Sequence, residues 1–109
     1  MNAPDSTVVI LITTLGADAD AAAFARTLID EQLAACVSVL PPMTSMYRWK
    51  GVLEQAQERQ LLIKTTAARV LTLKERFQTL HPYEVPEFIV VRPEAVGELY
   101  SKWVIDSIG

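Results

Sequence analysis

The chain has 109 residues, 50% of them hydrophobic and 21% charged, with a formal net charge of −3 at pH 7. This balance fits one folded domain with a modest core, argues against disorder, and offers no general attraction to nucleic acid or an anionic membrane surface. The lysines and arginines are scattered. The single cysteine excludes an internal disulfide framework and suits a reducing compartment, so a cytoplasmic location is expected.

Residues 1–7 contain Asp5 and no basic residue, and read as a flexible N-terminal tail rather than a signal peptide. The folded domain is expected over residues 8–109. Val8 to Thr14 is a run of β-branched and aliphatic residues suited to a buried central strand, and is far shorter than the ~20 residues of a membrane span. Gly16 breaks it, and Asp18 is the expected N-cap of a first helix. Ala21, Phe24, Ala25, Leu28 and Ile29 follow the spacing of a core-facing stripe, and the helix is expected to end near Leu33–Ala35.

Cys36 to Thr66 reads as one long β-hairpin with its turn at Lys50-Gly51, where glycine tolerates positive φ. Pro41-Pro42 interrupts the first arm and cannot donate ladder hydrogen bonds, so this arm is expected to kink or bulge there, with an edge facing outward. The polar stretch Glu54–Gln60 suggests a bulge or a solvent-facing segment in the second. Each arm is much longer than the usual ~5–6 residues. A domain this small cannot cover both arms, and a tip bearing Tyr47 and Trp49 exposes aromatic surface and strand edge that monomers avoid. An obligate oligomer is the simplest resolution.

Thr65 or Thr66 is expected to cap a second helix carrying Val70, Leu73, Phe77 and Leu80, which stops at His81-Pro82. His81–Glu87 is a rigid connector with two prolines. Phe88–Val91 reads as another strand, and a third helix follows Pro93 with Val96, Leu99, Tyr100 and Trp103 on one face. The order β-α-β-β-α-β-α is the split βαβ, ferredoxin-like pattern of an α+β protein, with a long hairpin and an extra C-terminal helix.

Several motifs together resemble the CutA divalent-cation tolerance proteins over nearly the whole chain. They are Thr13-Thr14, Leu33-Ala34-Ala35-Cys36-Val37, Tyr47-Arg48-Trp49-Lys50-Gly51, Glu54 and Glu58, Lys64-Thr65, His81-Pro82-Tyr83-Glu84-Val85-Pro86-Glu87 and Tyr100-Ser101-Lys102-Trp103. The resemblance implies a ferredoxin-like subunit in a tight homotrimer related in fold to PII-type signalling trimers, tolerance of copper and other divalent metals, and copper binding in some members. Two positions depart from the family pattern. Leu15-Gly16 stands where many members have a cysteine, so a metal site relying on that thiol cannot form, and Ser38 replaces a usual asparagine.

His81 and Glu84 sit three residues apart in a rigid turn and form the first choice for a cation contact, with Cys36 as a further soft ligand. A site needs three or four ligands, so backbone, water or a neighbouring subunit must complete it. The competing structural readings are a helix-ending His81 held as imidazolium by the helix dipole, and a buried Cys36 acting as filler. Tyr47, Trp49, Tyr83 and Trp103 fit a subunit interface better than a stacking cluster. Arg48, Lys50 and Lys64 with Glu54 and Glu58 read as a solvated or intersubunit charge set. In a PII-like cleft Arg48 or Lys64 would meet an anion, although no Gly-rich phosphate loop is present.

No catalytic motif is present, so a non-enzyme with no required cofactor is expected. The favoured function is a cytoplasmic, homotrimeric, metal-responsive protein that binds copper or another divalent cation. The alternative is a PII-like signalling or scaffold trimer for a small molecule or protein partner, with metal incidental. A hydrolase rests only on the His81/Glu84 pair and lacks a nucleophile.

Overall fold

The computed structural model describes residues 5–109, so the tail expected over residues 1–7 lies partly outside the described residues. The part inside is tied down: the Thr7 and Asp5 carbonyls accept from the Ala67 and Ala68 amides at 2.8 and 2.9 Å. The elements are β1 (Val8–Gly16), α1 (Ala21–Asp30), β2 (Cys36–Val39), β3 (Met43–Trp49), β4 (Val52–Thr66), a 3-10 turn (Ala67–Arg69), α2 (Val70–Leu80), β5 (Ile89–Val91) and α3 (Glu98–Ser107). The antiparallel sheet runs β2-β4-β1-β5, and β3 continues the ladder along β4 beyond β2. This is the ferredoxin-like α+β arrangement expected from the element order.

Alternation on the strands separates two faces. Val9, Leu11, Thr13 and Leu15 on β1, with Leu61, Ile63 and Thr65 on β4, point to the first face. There Leu11, Leu15, Leu61 and Ile63 form the core with Phe24 and Leu28 of α1 and Leu73 and Phe77 of α2. Leu15 is part of this core. The second face carries Ile10, Ile12, Leu62 and Lys64, with Cys36 and Ser38 beside them and Ile89 and Val91 on β5. Ile89 and Val91 are exposed. Helix α3 buries Val104, and its C-cap Ile108 is buried too, while Leu99, Tyr100 and Trp103 stay exposed.

Several local expectations are corrected. The N-cap of α1 is Asp20, whose Oδ1 accepts from the Ala23 amide at 2.9 Å, and not Asp18. Strand β1 continues to Gly16 and a turn follows, with the Ala19 amide donating to the Gly16 carbonyl, so the helix starts later. The helix stops at Asp30, short of Leu33–Ala35. Gln32 adopts φ 58°, and the Leu33 and Gln32 amides donate back to Leu28 and Ile29 at 2.9 and 3.0 Å. That is a Schellman stop with glutamine where glycine is usual.

Neither Thr65 nor Thr66 caps α2. Thr65 is buried and its hydroxyl donates to the Leu33 carbonyl at 2.7 Å, and Thr66 precedes the 3-10 turn without a side-chain cap. Strand β5 starts at Ile89 rather than Phe88. Helix α3 starts at Glu98, with Gly97 as N-cap, so Val96 lies ahead of it.

The hairpin keeps its expected turn. Lys50 and Gly51 have φ 49° and 81° and link the pair Trp49↔Val52, as a two-residue primed turn requires. The first arm bulges at Pro41-Pro42, as expected, and the second does not. Val39 faces Leu61 and Met43 faces Glu58, so Leu40-Pro41-Pro42 oppose only Arg59 and Gln60. The polar stretch Glu54–Gln60 runs inside β4, which is unbroken over 15 residues. Strand β1 ends opposite Glu58. Beyond it, the rungs from Thr44↔Gln57 to Trp49↔Val52 form a two-stranded ribbon reaching ~20 Å past the sheet. Met46, Tyr47, Trp49, Val52 and Leu53 are exposed on it.

Gly51→Ala places a Cβ in the left-handed region at the ribbon's turn and is expected to destabilise the protein by about 1–2 kcal/mol in urea unfolding. Lys50→Asn, which tolerates that backbone, is expected to be neutral or stabilising.

Candidate functional site

A groove of about 740 Å³ opens on the second face, between the root of the hairpin and the Pro82–Glu87 connector. Tyr47 and Trp49 of β3, Glu58 of β4, and Tyr83, Glu84 and Glu87 of the connector line it. Among the described residues, no lysine or arginine lines it. These groups meet because Tyr47, Trp49 and Glu58 share one face of the hairpin, and His81 anchors the connector opposite.

His81 ends α2 and turns back into the core. The residue is 6% exposed, and its ring packs against Phe24, Phe77 and Tyr83 with centroids 5.7, 5.5 and 5.0 Å away. Its Nε2 lies 2.9 Å from the Thr14 carbonyl oxygen and 3.3 Å from Thr13 Oγ1. Its Nδ1 lies 3.1 Å from the Tyr83 amide nitrogen. A carbonyl can only accept and an amide N–H can only donate, so Nε2 carries the proton and Nδ1 is the acceptor. Burial lowers the pKa of the ring, opposed by the Thr14 bond and the Glu58 carboxylate. His81 is therefore a neutral core histidine and not a dipole-stabilised imidazolium. In this conformation neither nitrogen has a lone pair free for a metal.

The connector that His81 holds brings Tyr83 to Glu58. The phenol donates to Glu58 Oε2 at 2.7 Å, and Glu58 is only 7% exposed. Burial and this carboxylate push the phenol's pKa well above its ordinary value. Glu58 is thus a buried anchor and does not belong to the solvated charge set. Glu87 has its Oε2 buried without a hydrogen-bond partner. Burial first, and the nearby Glu58 second, raise its pKa.

The other candidates are dispersed. Glu84 is exposed on the groove wall. Cys36 is half-buried on the second face opposite Lys64, whereas His81 joins the sheet at Thr13 and Thr14, opposite Leu61 and Gln60. The geometry therefore does not bring Cys36 to His81 and Glu84, and among the described residues no three His, Cys, Asp or Glu side chains gather as a metal site. Trp103 is apart from Tyr47, Trp49 and Tyr83, and pairs with Tyr100 at 5.7 Å. Arg48 Nη1 donates to the Gly51 carbonyl at 3.3 Å within its own turn, and Lys64 donates to Ser38 Oγ and Cys36 Sγ. Neither lines the groove. The residues that sequence reasoning missed are Thr13, Glu58 and Glu87. The only signal for them was membership in the quoted motifs.

A model of the family described as CutA1 divalent ion tolerance protein matches residues 9–107. The divalent-cation tolerance protein CutA of Thermus thermophilus is 43% identical over 101 residues, covering 92% of this chain and 97% of that protein. The Xenopus laevis protein CutA homolog is 46% identical over 84 residues, and the match spans 56% of its length. The crystal structure of CutA from Xylella fastidiosa superposes with a TM-score of 0.88 at 40% identity, covering 94% of this chain and 99% of that one. No helix among the described residues is long and apolar enough to cross a membrane.

The neutral ring fixes a sign for pH dependence. A folded-state pKa below the ordinary 6.5 means that the unfolded chain binds more protons, so stability is full above about 6.5 and falls as pH drops toward the folded pKa. His81 is the only histidine, so its NMR titration is unambiguous. The expected midpoint is below 6.5 with the Nε2–H tautomer, and a midpoint above 6.5 contradicts the assignment.

Proposed function

The chain belongs to the CutA1 divalent ion tolerance protein family, and from that membership we propose that it is a cytoplasmic, non-enzymatic homotrimer that binds a divalent cation in its groove. The observation that carries the cation reading is the groove's charge: Glu58, Glu84 and Glu87 line it without a lysine or arginine among the described residues. Such a cleft concentrates cations. Glu84 is the accessible donor, and water or a neighbouring subunit completes the coordination.

Oxygen donors suit hard or borderline cations. Copper, which an imidazole or thiol would favour, gains a nitrogen ligand only if His81 releases the Tyr83 amide or Thr14. The expectation of a His81–Glu84 pair with Cys36 thus narrows to Glu84, with the imidazole as a switched ligand. The tolerance names of the relatives support a non-enzyme. The single cysteine supports a reducing compartment, although the Archaeoglobus fulgidus relative is described as periplasmic.

The trimer reading rests on the ribbon and the second face. Their exposed aromatic and aliphatic side chains, and the open edges of β3 and β5, need a cover that one subunit does not supply. One observation favours the second reading, a PII-like signalling or scaffold trimer. Tyr47 and Trp49 form aromatic walls able to hold a flat organic ligand.

Sedimentation equilibrium is expected to give a trimer at micromolar concentration, with Trp49→Ala weakening it more than any surface charge change. Calorimetric Cu(II) and Zn(II) titrations of the trimer are expected to show weak, saturable binding that is lost in Glu84→Gln and kept in Cys36→Ser. Equal heats in all three proteins would turn the reading to the signalling scaffold.

A further inference from the structure

The groove combines an acidic lining with aromatic walls, two features that a bare metal ion does not need together. Glu58, Glu84 and Glu87 line it, and no lysine or arginine among the described residues does. Its walls carry three aromatic rings, those of Tyr47, Trp49 and Tyr83. Tyr47 and Trp49 are two residues apart on β3, so they stand on one face of the ribbon, ~7 Å from each other. The connector brings Tyr83 to the same groove, close enough for the Tyr47 and Tyr83 phenols to act on each other electrostatically.

The carboxylates alone do not form a metal cage. Among the described residues, no three His, Cys, Asp or Glu side chains gather around one point. Glu58 Oε2 accepts from the Tyr83 phenol at 2.7 Å, and Glu87 Oε2 is shielded from solvent. Glu84 is the one exposed carboxylate of the three. Together these groups supply a diffuse negative potential that selects for positive charge without direct bonds. The rings supply the complementary part, because the face of an aromatic ring attracts a cation, tryptophan most strongly. Trp49 already does so within the chain: the Lys50 ammonium sits 5.6 Å from the centroid of its ring. The Tyr83 ring is polarised in the same sense, since its phenol donates to a carboxylate.

We propose that this groove takes a small organic cation bearing a methylated ammonium group. Its methyl groups pack against Tyr47, Trp49 and Tyr83, and its charge is balanced by Glu84 and Glu58. A strongly hydrated metal ion gains little from the rings. Methyl groups spread the charge over an apolar surface, so such a head group uses the walls and the potential at once. The volume of about 740 Å³ is that of a small-molecule site, and the acidic lining disfavours an anionic ligand. The inference rests on the small-molecule reading of the trimer and names the class of that ligand.

The test is an NMR titration of the intact wild-type oligomer with tetramethylammonium chloride. The neutral mimic tert-butanol, similar in size and shape, is titrated in parallel, with sodium chloride as the ionic-strength control. The chain has two tryptophans, so two indole N–H signals report. Trp49 lines the groove and Trp103 on α3 does not, which makes Trp103 the internal reference. A saturable shift of the Trp49 signal alone is expected with tetramethylammonium, about tenfold weaker with tert-butanol and absent with sodium chloride. Tyr47→Leu and Glu84→Gln are each expected to weaken binding by about fivefold. Should Tyr47→Leu no longer sediment as wild type does, Glu84→Gln carries the comparison, and undiminished binding there overturns the inference. Equal binding of the charged and neutral probes overturns it too, while leaving a groove for small molecules. Equal shifts at Trp49 and Trp103, or none at Trp49, also overturn it. The small-molecule reading is then decided by a thermal-shift panel of neutral and anionic organic compounds, where no stabilisation ends that reading as well.

Discussion

Strand β4 pairs along its length with β1, β2 and β3, and the register with each is fixed by which of its faces must be dry. Leu61, Ile63 and Thr65 have to point at α1 and α2, and a slip of one residue would turn all three to the other side. That register also sets where the side chains of the overhanging half point. Glu58 falls on the second face opposite Gly16, and Tyr47 and Trp49 share that face further out. The groove is thus a consequence of the core, because the same alternation that buries Ile63 presents Glu58 to Tyr83.

The second requirement is a hinge point for the connector. His81 supplies it by giving up both ring nitrogens to backbone groups and packing its ring against Phe24 and Phe77. A histidine used this way is structural, yet it controls chemistry at one remove, because the Tyr83 amide it receives belongs to the residue whose phenol holds Glu58. The paired Thr13-Thr14 acquires a physical meaning here. Thr13 faces the core and Thr14 the other side, and the imidazole reaches the hydroxyl of one and the carbonyl of the other.

What the sequence made legible was whatever depends on local chemistry. The positive-φ turn at Lys50-Gly51, the proline break in the first arm, the stop before Pro82 and the stripe through Phe24 and Leu28 all follow from nearest neighbours. What it hid depends on pairing partners. Asp18 and Asp20 are equally good caps until the length of β1 is known. The polar run Glu54–Gln60 looks like a bulge until its partner strand takes the extra residue at Leu40-Pro41-Pro42. His81 beside Glu84 looks like a ligand pair until Thr14, distant in sequence, claims the ring. Glu87 had no signature beyond its motif, since an orphaned oxygen exists only once the fold has buried it.

In the proposed trimer a second copy covers and stabilises the ribbon beyond Glu58. Hydrogen exchange of the segments Thr44–Trp49 and Val52–Gln57, followed as the protein is diluted, tests this directly. Outward-facing amides in both segments have no partner strand within the subunit. The account predicts strong protection at high concentration that is lost on dilution together with the oligomer. Fast exchange at every concentration, with the core strands still protected, would contradict it.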